Sequence, residues 1–497
     1  MLRADMPGWL KDFLPIVALL ALVVVVVGRL PKVDLGHDKA FLRRRFMNWF
    51  PVGLTYAFLY MGRYNLNACI GHVFDKAQFS DIYFWGTLTY GFSFVINGPL
   101  TDRLGGKKTI ILAALGAIAA NVGIGLLVQH AMVGGEVPKD ARAGLVPTLS
   151  VLYALNMYFQ SFGAVSIVKV NSAWFHLRER GTFGGIFGIL ISLGLYFAYD
   201  WCAFILKTSG PAAVFFVPSA ILAVFAVLDL ILVRDTPGEA GLKDFDLGDA
   251  SSGDDGPRKP IGEVVTMMLK NPAIITIALI EFCSGYLRNS ILQYYKPFAK
   301  ETGRVATEAA QKAAALAGNV APSDFVHDHW GMLNCMAGIA GGVVAGIISD
   351  RVFGSRRGPV AGVLYLTMIV GAGLMFVALP TAGIGWVVVL MSLAIIGVHG
   401  MLSGTASMDF GGKKNVGIVV GVIDGFVYLG TAAEALVLGR VLPKDQLAHD
   451  AHNWWTWPAV MLPAAILGFG LSTRVWNARP KAAAPASSQQ EPQKQAA

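Results

Sequence analysis

Two arginines stand inside stretches that are otherwise apolar: Arg63 in TYAFLYMGRYNLNACI and Arg288 in IEFCSGYLRNSILQYY. A guanidinium is always charged, and its planar fork of donors matches the edge of a phosphate or carboxylate. A charge at the centre of a bilayer costs on the order of 2.5–3.5 kcal/mol even on a lenient scale, so an intramembrane arginine is first a functional candidate. Two guanidiniums aimed into one cavity repel each other unless an anion lies between them. The chemistry expected of this pair is therefore an anion grip. The competing reading pairs each arginine with an acid on a neighbouring helix, such as Glu434 or Asp424, and makes their matching placement a coincidence.

Other polar groups fall near these two. Tyr56 and Tyr60 precede Arg63 by seven and three residues, so one helical face carries all three. Tyr90, Tyr428 and Gln293 are counted with them as binding candidates, because hydroxyls and amides hold an oxyanion without adding charge. For any single tyrosine, core packing or an interfacial position explains it as well. Glu281, seven residues before Arg288, and Asp424 and Glu434 supply acids that would bind a substrate cation or carry protons; a solvated cavity wall is the plain alternative.

Such residues need a membrane frame, and the composition provides it. Of 497 residues, 55% are hydrophobic and 14% charged, against roughly 25% charged in a soluble domain. Mean hydropathy is +0.56, too apolar over too great a length for one core, since single cores stop growing near about 250–300 residues. A soluble enzyme is excluded. Each crossing takes about 20 apolar residues, which leaves room for about a dozen spans. Cys69, Cys202, Cys283 and Cys335 lie in apolar stretches without metal-ligand spacing. Nothing matches a Walker phosphate loop, a GxSxG elbow or a His/Cys cluster, so neither an enzyme nor a bound cofactor is expected. The net charge of +8 belongs to loops between spans, not to a nucleic-acid surface.

An apolar run at 13–27 is read as a retained extra helix, with the basic residues that follow it placing the N-terminus outside and the 31–45 loop in the cytoplasm. Twelve further spans are expected at 46–71, 82–100, 109–130, 148–172, 182–206, 212–233, 272–297, 327–348, 358–379, 383–406, 415–440 and 455–477. Alternate loops then hold Arg103, Lys107 and Lys108; Arg178 and Arg180; Arg351, Arg356 and Arg357; and Lys413 and Lys414, which puts the C-terminus in the cytoplasm as well. The expected organisation is the extra helix and basic loop at 1–45, one six-helix bundle at 46–233, a linker at 234–271, a second bundle at 272–478 and a disordered tail at 479–497. A short extension is expected between the seventh and eighth spans.

The two halves repeat. Gly98, Asp102, Arg103, Gly105, Lys107 and Lys108 after the second span recur as Gly346, Asp350, Arg351, Gly354, Arg356 and Arg357 after the eighth. Gly181, Gly185 and Gly194 register with Gly417, Gly421 and Gly430. Glycines let helices approach closely, and the acidic-basic turns Asp102/Arg103, Asp350/Arg351 and Glu179/Arg180 are candidates for conformational gating. The repeated turn resembles the signature of the major facilitator superfamily. That resemblance implies an all-α membrane fold of two six-helix bundles related by a pseudo-two-fold, here with one extra N-terminal transmembrane helix. The helices bearing Arg63 and Arg288 become equivalents, facing each other at similar depth.

Within that superfamily, residues 41–478 are similar to the organophosphate:phosphate antiporter family. Tyr56, Tyr60 and Arg63 match its first-helix Tyr-x-x-x-Tyr-x-x-Arg; Tyr286, Leu287 and Arg288 match the seventh-helix segment; and Tyr90, Gly91, Phe92 and Ser93 match its Tyr-Gly-Phe-Ser. Gln160, Gly163, Trp174, Phe175, Glu179, Arg180 and Gly181 resemble its fourth helix and following loop. The resemblance implies that the two arginines clasp phosphate, with alternating access about them. Phe94, Ile191 and Gln293 replace the family's Lys, His and acid, which points to a substrate other than glycerol-3-phosphate. The expected function is secondary transport of an organic phosphate or similar anion, by exchange with inorganic phosphate or coupled to protons, by a monomer in a bacterial inner membrane. The alternative is a membrane sensor of a phosphorylated metabolite that signals to a partner protein.

Overall fold

The computed structural model describes residues 36–176, 179–247, 260–306, 308–317, 319, 321–353 and 356–477. The helix expected at 13–27 and the tail from 479 lie outside them, as do the side chains at 180–187, 350–351 and 404–416. Twelve long helices carry the chain: α1 (Lys39–Tyr64), α2 (Lys76–Leu104), α3 (Gly106–Ala131), α4 (Lys139–Ser172), α5 (Arg180–Tyr196, running through a π turn into Cys202–Ser209), α6 (Ala213–Leu232), α7 (Pro272–Glu301), α8 (Trp330–Ile347), α9 (Arg357–Ala378), α10 (Ile384–His399), α11 (Ser407–Val441) and α12 (Thr456–Arg474). Each of the twelve spans expected from residue 46 onward overlaps one of them. Among the described residues, nine helices are long and apolar enough to cross a membrane by length and composition. α1 and α2 do not meet that measure, and α8 is apolar but shorter, over Trp330–Gly346.

Helix ends follow capping chemistry more than hydropathy. α1 begins at Lys39, where the Asp38 carboxylate accepts the Phe41 N–H at 2.6 Å, so part of the basic stretch expected as loop forms the first turns of a helix. Asp75 and Gln78 close a reciprocal capping box that starts α2 six residues before the expected boundary. The linker ends in the amphipathic helix Ile261–Lys270. The segment between α7 and α8 contains the short helices Glu308–Leu316 and Phe325–Asp328.

The packing repeats with the chain. α1 packs on α5 and α6 as α7 does on α11 and α12; α3 packs on α4 and α6 as α9 does on α10 and α12. The halves meet where α2 lies along α11 and α5 along α8, a pairing that the same shift of six helices maps onto itself. Large apolar side chains such as Trp85, Phe92, Leu115, Val224 and Val377 are exposed on the outside, the surface that a bilayer covers.

The α2–α11 seam is built on glycine. A Cβ at Gly98 would stand 2.4 Å from the Gly417 carbonyl oxygen, and one at Gly417 would stand 2.7 Å from the Gly98 oxygen. Backbone cannot yield as a side-chain tip can, so overpacking here falls at or above the usual 1–3 kcal/mol. Gly98→Val should lower the thermal transition of the purified protein, measured against wild type in the same detergent; an unchanged transition would contradict this packing.

Candidate functional site

The site grows from α1. A chain of buried amides holds its last turn: Asn65 Nδ2 donates to Asn121 Oδ1 at 2.9 Å, Asn121 Nδ2 to Asn156 Oδ1 at 3.1 Å, and Gln160 Nε2 to the same Asn156 oxygen at 2.9 Å. Asn156 Nδ2 also donates to the Gly62 carbonyl at 3.0 Å, and the Tyr153 hydroxyl to the Arg63 carbonyl at 2.9 Å. In a low-dielectric interior such a network fixes geometry, because every broken member is costly. Its effect is to aim Arg63, which is fully buried.

Arg63 Nε donates to Gln160 Oε1 at 3.0 Å and Nη1 to the Tyr428 hydroxyl at 2.7 Å. Its guanidinium carbon lies 4.4 Å from the centroid of the Tyr60 ring and 4.5 Å from that of Tyr90, distances at which the ring faces attract a cation. From the other half, Arg288 is 5% exposed and stands 5.5 Å from the centroid of the Tyr428 ring, with Arg63 5.6 Å from the same centroid. One tyrosine of α11 therefore serves both cations. Tyr56 packs against Tyr60, their centroids 5.2 Å apart, one layer further back.

Three polar atoms in this cage have no partner among the described residues: Arg63 Nη2, Arg288 Nη2 and the Tyr90 hydroxyl. Nor does a described carboxylate form an ion pair with either arginine. Asp424 takes the Ser403 hydroxyl and Glu434 the Asn289 amide, so the acid-pairing alternative is not what the structure holds. A buried donor without an acceptor costs roughly 1–3 kcal/mol, more when charged. An oxyanion placed there would supply the missing acceptors.

Other expected members stand elsewhere. Gln293 Oε1 accepts from Asn67 Nδ2 at 2.7 Å and from the Tyr199 hydroxyl at 3.3 Å, which places it in a contact between the C-terminal ends of α1 and α7. That end of the bundle, opposite the linker, carries two more links between halves: Lys76 Nζ to Glu301 at 2.6 Å, and the Asp200 carboxylate accepting the Gly331 and Met332 N–H groups at 2.7 and 2.8 Å at the start of α8. At the linker end, Asp102 pairs with Lys169 of α4 at 2.5 Å and Glu179 with Arg45 of α1 at 2.9 Å, while Arg103 is exposed. Both of these ion pairs lie within the first half. The side chains of Arg180, Asp350 and Arg351 lie outside the described residues.

Three residues of this interior carry no motif in the sequence: Asn121, Asn156 and His399. Asn121 and Asn156 were legible as amides in apolar helices, with Asn156 four residues before Gln160. His399 at the end of α10 had no such pattern; its Nδ1 lies 2.9 Å from Glu281 Oε2, and both are buried. Removing the hydroxyl that Arg63 bonds, on the ring that both arginines flank, tests the cage. Tyr428→Phe should weaken phosphate binding about tenfold, the scale of one charge-assisted hydrogen bond, in a titration of purified protein; unchanged affinity would remove Tyr428 from the site.

Residues 52–433 match the family model described as Major Facilitator Superfamily. The chain is 25% identical over 474 residues to the glycerol-3-phosphate transporter of Bacillus subtilis, covering 89% of this chain and 95% of that one. It is 24% identical over 436 residues to the membrane sensor protein UhpC of Salmonella typhimurium, covering 82% and 88%. Among solved structures, the D-xylose-proton symporter is similar with a TM-score of 0.61 at 14% identity, over 88% of this chain and 98% of that one. That likeness concerns the fold alone.

Proposed function

Because the chain belongs to the Major Facilitator Superfamily, a multi-pass membrane transporter and not an enzyme, we propose that it carries an organic phosphate by alternating access, in exchange for inorganic phosphate. The observation that carries this reading is the pair of buried guanidiniums, one from each half, flanking Tyr428 with an unpartnered Nη2 each. A phosphate between them takes donors from both bundles, so its binding couples the halves. The likeness over nearly full length to a glycerol-3-phosphate transporter supports a phosphate ester as cargo. The basic loops at the linker end support a cytoplasmic placement for that end, in a bacterial inner membrane.

In this reading the contacts opposite the linker close one side, and their breakage opens it. Glu281, Asp424 and Glu434 are the groups available for proton coupling if uptake runs without counter-phosphate. The likeness to a membrane sensor favours a second reading, binding without turnover. Uptake of labelled glycerol-3-phosphate and labelled inorganic phosphate into proteoliposomes, with and without internal phosphate, separates these. Stimulation by internal phosphate supports exchange. Uptake that follows an imposed proton gradient alone replaces exchange with proton coupling. Phosphate binding by folded protein with no flux of either label supports the sensor.

A further inference from the structure

On the linker side of the arginine cage, the second half carries a layer of buried polar groups that phosphate binding does not use. Glu281, Ser284 and Arg288 follow one another at spacings of three and four along α7, so they share a face. Glu281 is fully buried; its Oε2 meets His399 Nδ1 at 2.9 Å and its Oε1 has no partner. Ser284 is 1% exposed, and its hydroxyl also has none. From α11, Asp424 lies one turn from Tyr428, about 6 Å along the axis, and accepts the Ser403 hydroxyl. Its carboxylate is within Coulombic range of His399, Glu281 and Arg288.

The charges of this interior do not balance around a simple phosphate. A phosphomonoester, at about −1.5 to −2 near pH 7, offsets the two guanidiniums and leaves the layer below untouched. There Glu281 has an imidazole against it, whereas the hydrogen-bonding partner of Asp424 is a neutral hydroxyl. A buried carboxylate is costly unless paired with a cation. Asp424 has no hydrogen-bonded cation, a helical turn from the tyrosine that both arginines flank, and the same layer keeps an unpartnered Ser284 hydroxyl and Glu281 Oε1.

Resting on the proposed phosphate grip, we infer that Asp424, Glu281 and Ser284 form a second pole that takes an ammonium group, so that the preferred cargo is a short phosphate monoester carrying an amine. The phosphoryl group lies between Arg63 and Arg288 at Tyr428, and the ammonium lies toward Asp424, with Ser284 accepting from it. A two-carbon spacer suits the separation of one turn along α11.

The test is equilibrium displacement of labelled inorganic phosphate from the purified protein in nanodiscs by O-phosphoethanolamine and by propyl phosphate, which are alike in length but differ in the amine. The expected result is displacement by the amino ester at a concentration about tenfold lower, with the ratio falling toward one in Asp424→Asn and in Glu281→Gln. Equal potency of the two esters on wild type overturns the inference and leaves the phosphate grip standing. A wild-type preference that survives both substitutions overturns the assignment of these residues. No binding of labelled phosphate by folded protein overturns both the inference and the reading beneath it. The comparison of esters on wild type needs no variant to fold.

Discussion

Lysine in place of Arg63 or Arg288 should each reduce phosphate-driven exchange on the order of a hundredfold. The substitution keeps the charge and removes the fork. Arg63 spends Nε on Gln160 and Nη1 on Tyr428 and still has Nη2 to offer. An ammonium on a flexible stem cannot reach these three directions at once. Losing a charge-assisted hydrogen bond costs about 1.5–3 kcal/mol, and both guanidiniums also stand within cation–π distance of the Tyr428 ring, so about 2.7 kcal/mol, two decades, is the expected scale. The readout is the initial rate of labelled phosphate uptake into phosphate-loaded proteoliposomes, with a thermal transition near the wild-type value to show that the fold is intact. Rates within threefold of wild type would remove the arginines from the transport site.

Joining the halves opposite the linker should stop transport altogether. Asn67 at the end of α1 and Gln293 on α7 meet at 2.7 Å, and Lys76 and Glu301 meet nearby at 2.6 Å. If that end must part for cargo to cross, a bridge at this position traps one conformation. Cysteines at 67 and 293, in a background lacking Cys69, Cys202, Cys283 and Cys335, bridged by a short bifunctional thiosulfonate, should abolish uptake, and reduction should restore it. The single cysteines control for modification alone. Full uptake by the bridged protein would contradict alternating access about this contact.

The sequence carried the fold well because membrane helices advertise themselves. Without water, every span must be an apolar helix that satisfies its own backbone, so the twelve spans and the repeat at Gly98 and Gly346 were readable before any contact was known. Arg63 and Arg288 were readable for the same reason, since a charge in an apolar run stands out. What could not be read were pairings across the bundle. Asp102 and Glu179 meet Lys169 and Arg45, partners far along the chain that no local spacing indicates. Gln293 sits five residues past Arg288, and that offset turns it away from the face shared by residues 281, 284 and 288, toward Asn67. His399 lies among glycines and aliphatics in a helix end, and its meaning comes only from Glu281 on another helix. Helix ends follow caps where these lie beyond the apolar run, as at Asp38 and Asp75.

The central claim is that one anion is held by both halves at once, and a double-mutant cycle tests it most directly. Phosphate affinity is measured for wild type, Arg63→Lys, Arg288→Lys and the double variant, in the same nanodiscs and at fixed salt. Residues that share a ligand couple, whereas independent sites add within about 0.3–0.5 kcal/mol. The expected result is a double variant hardly weaker than either single one, because the first substitution already breaks the bridge. Losses that simply add would mean that the arginines act on separate ligands, and a single phosphate clasped between the two bundles would be ruled out.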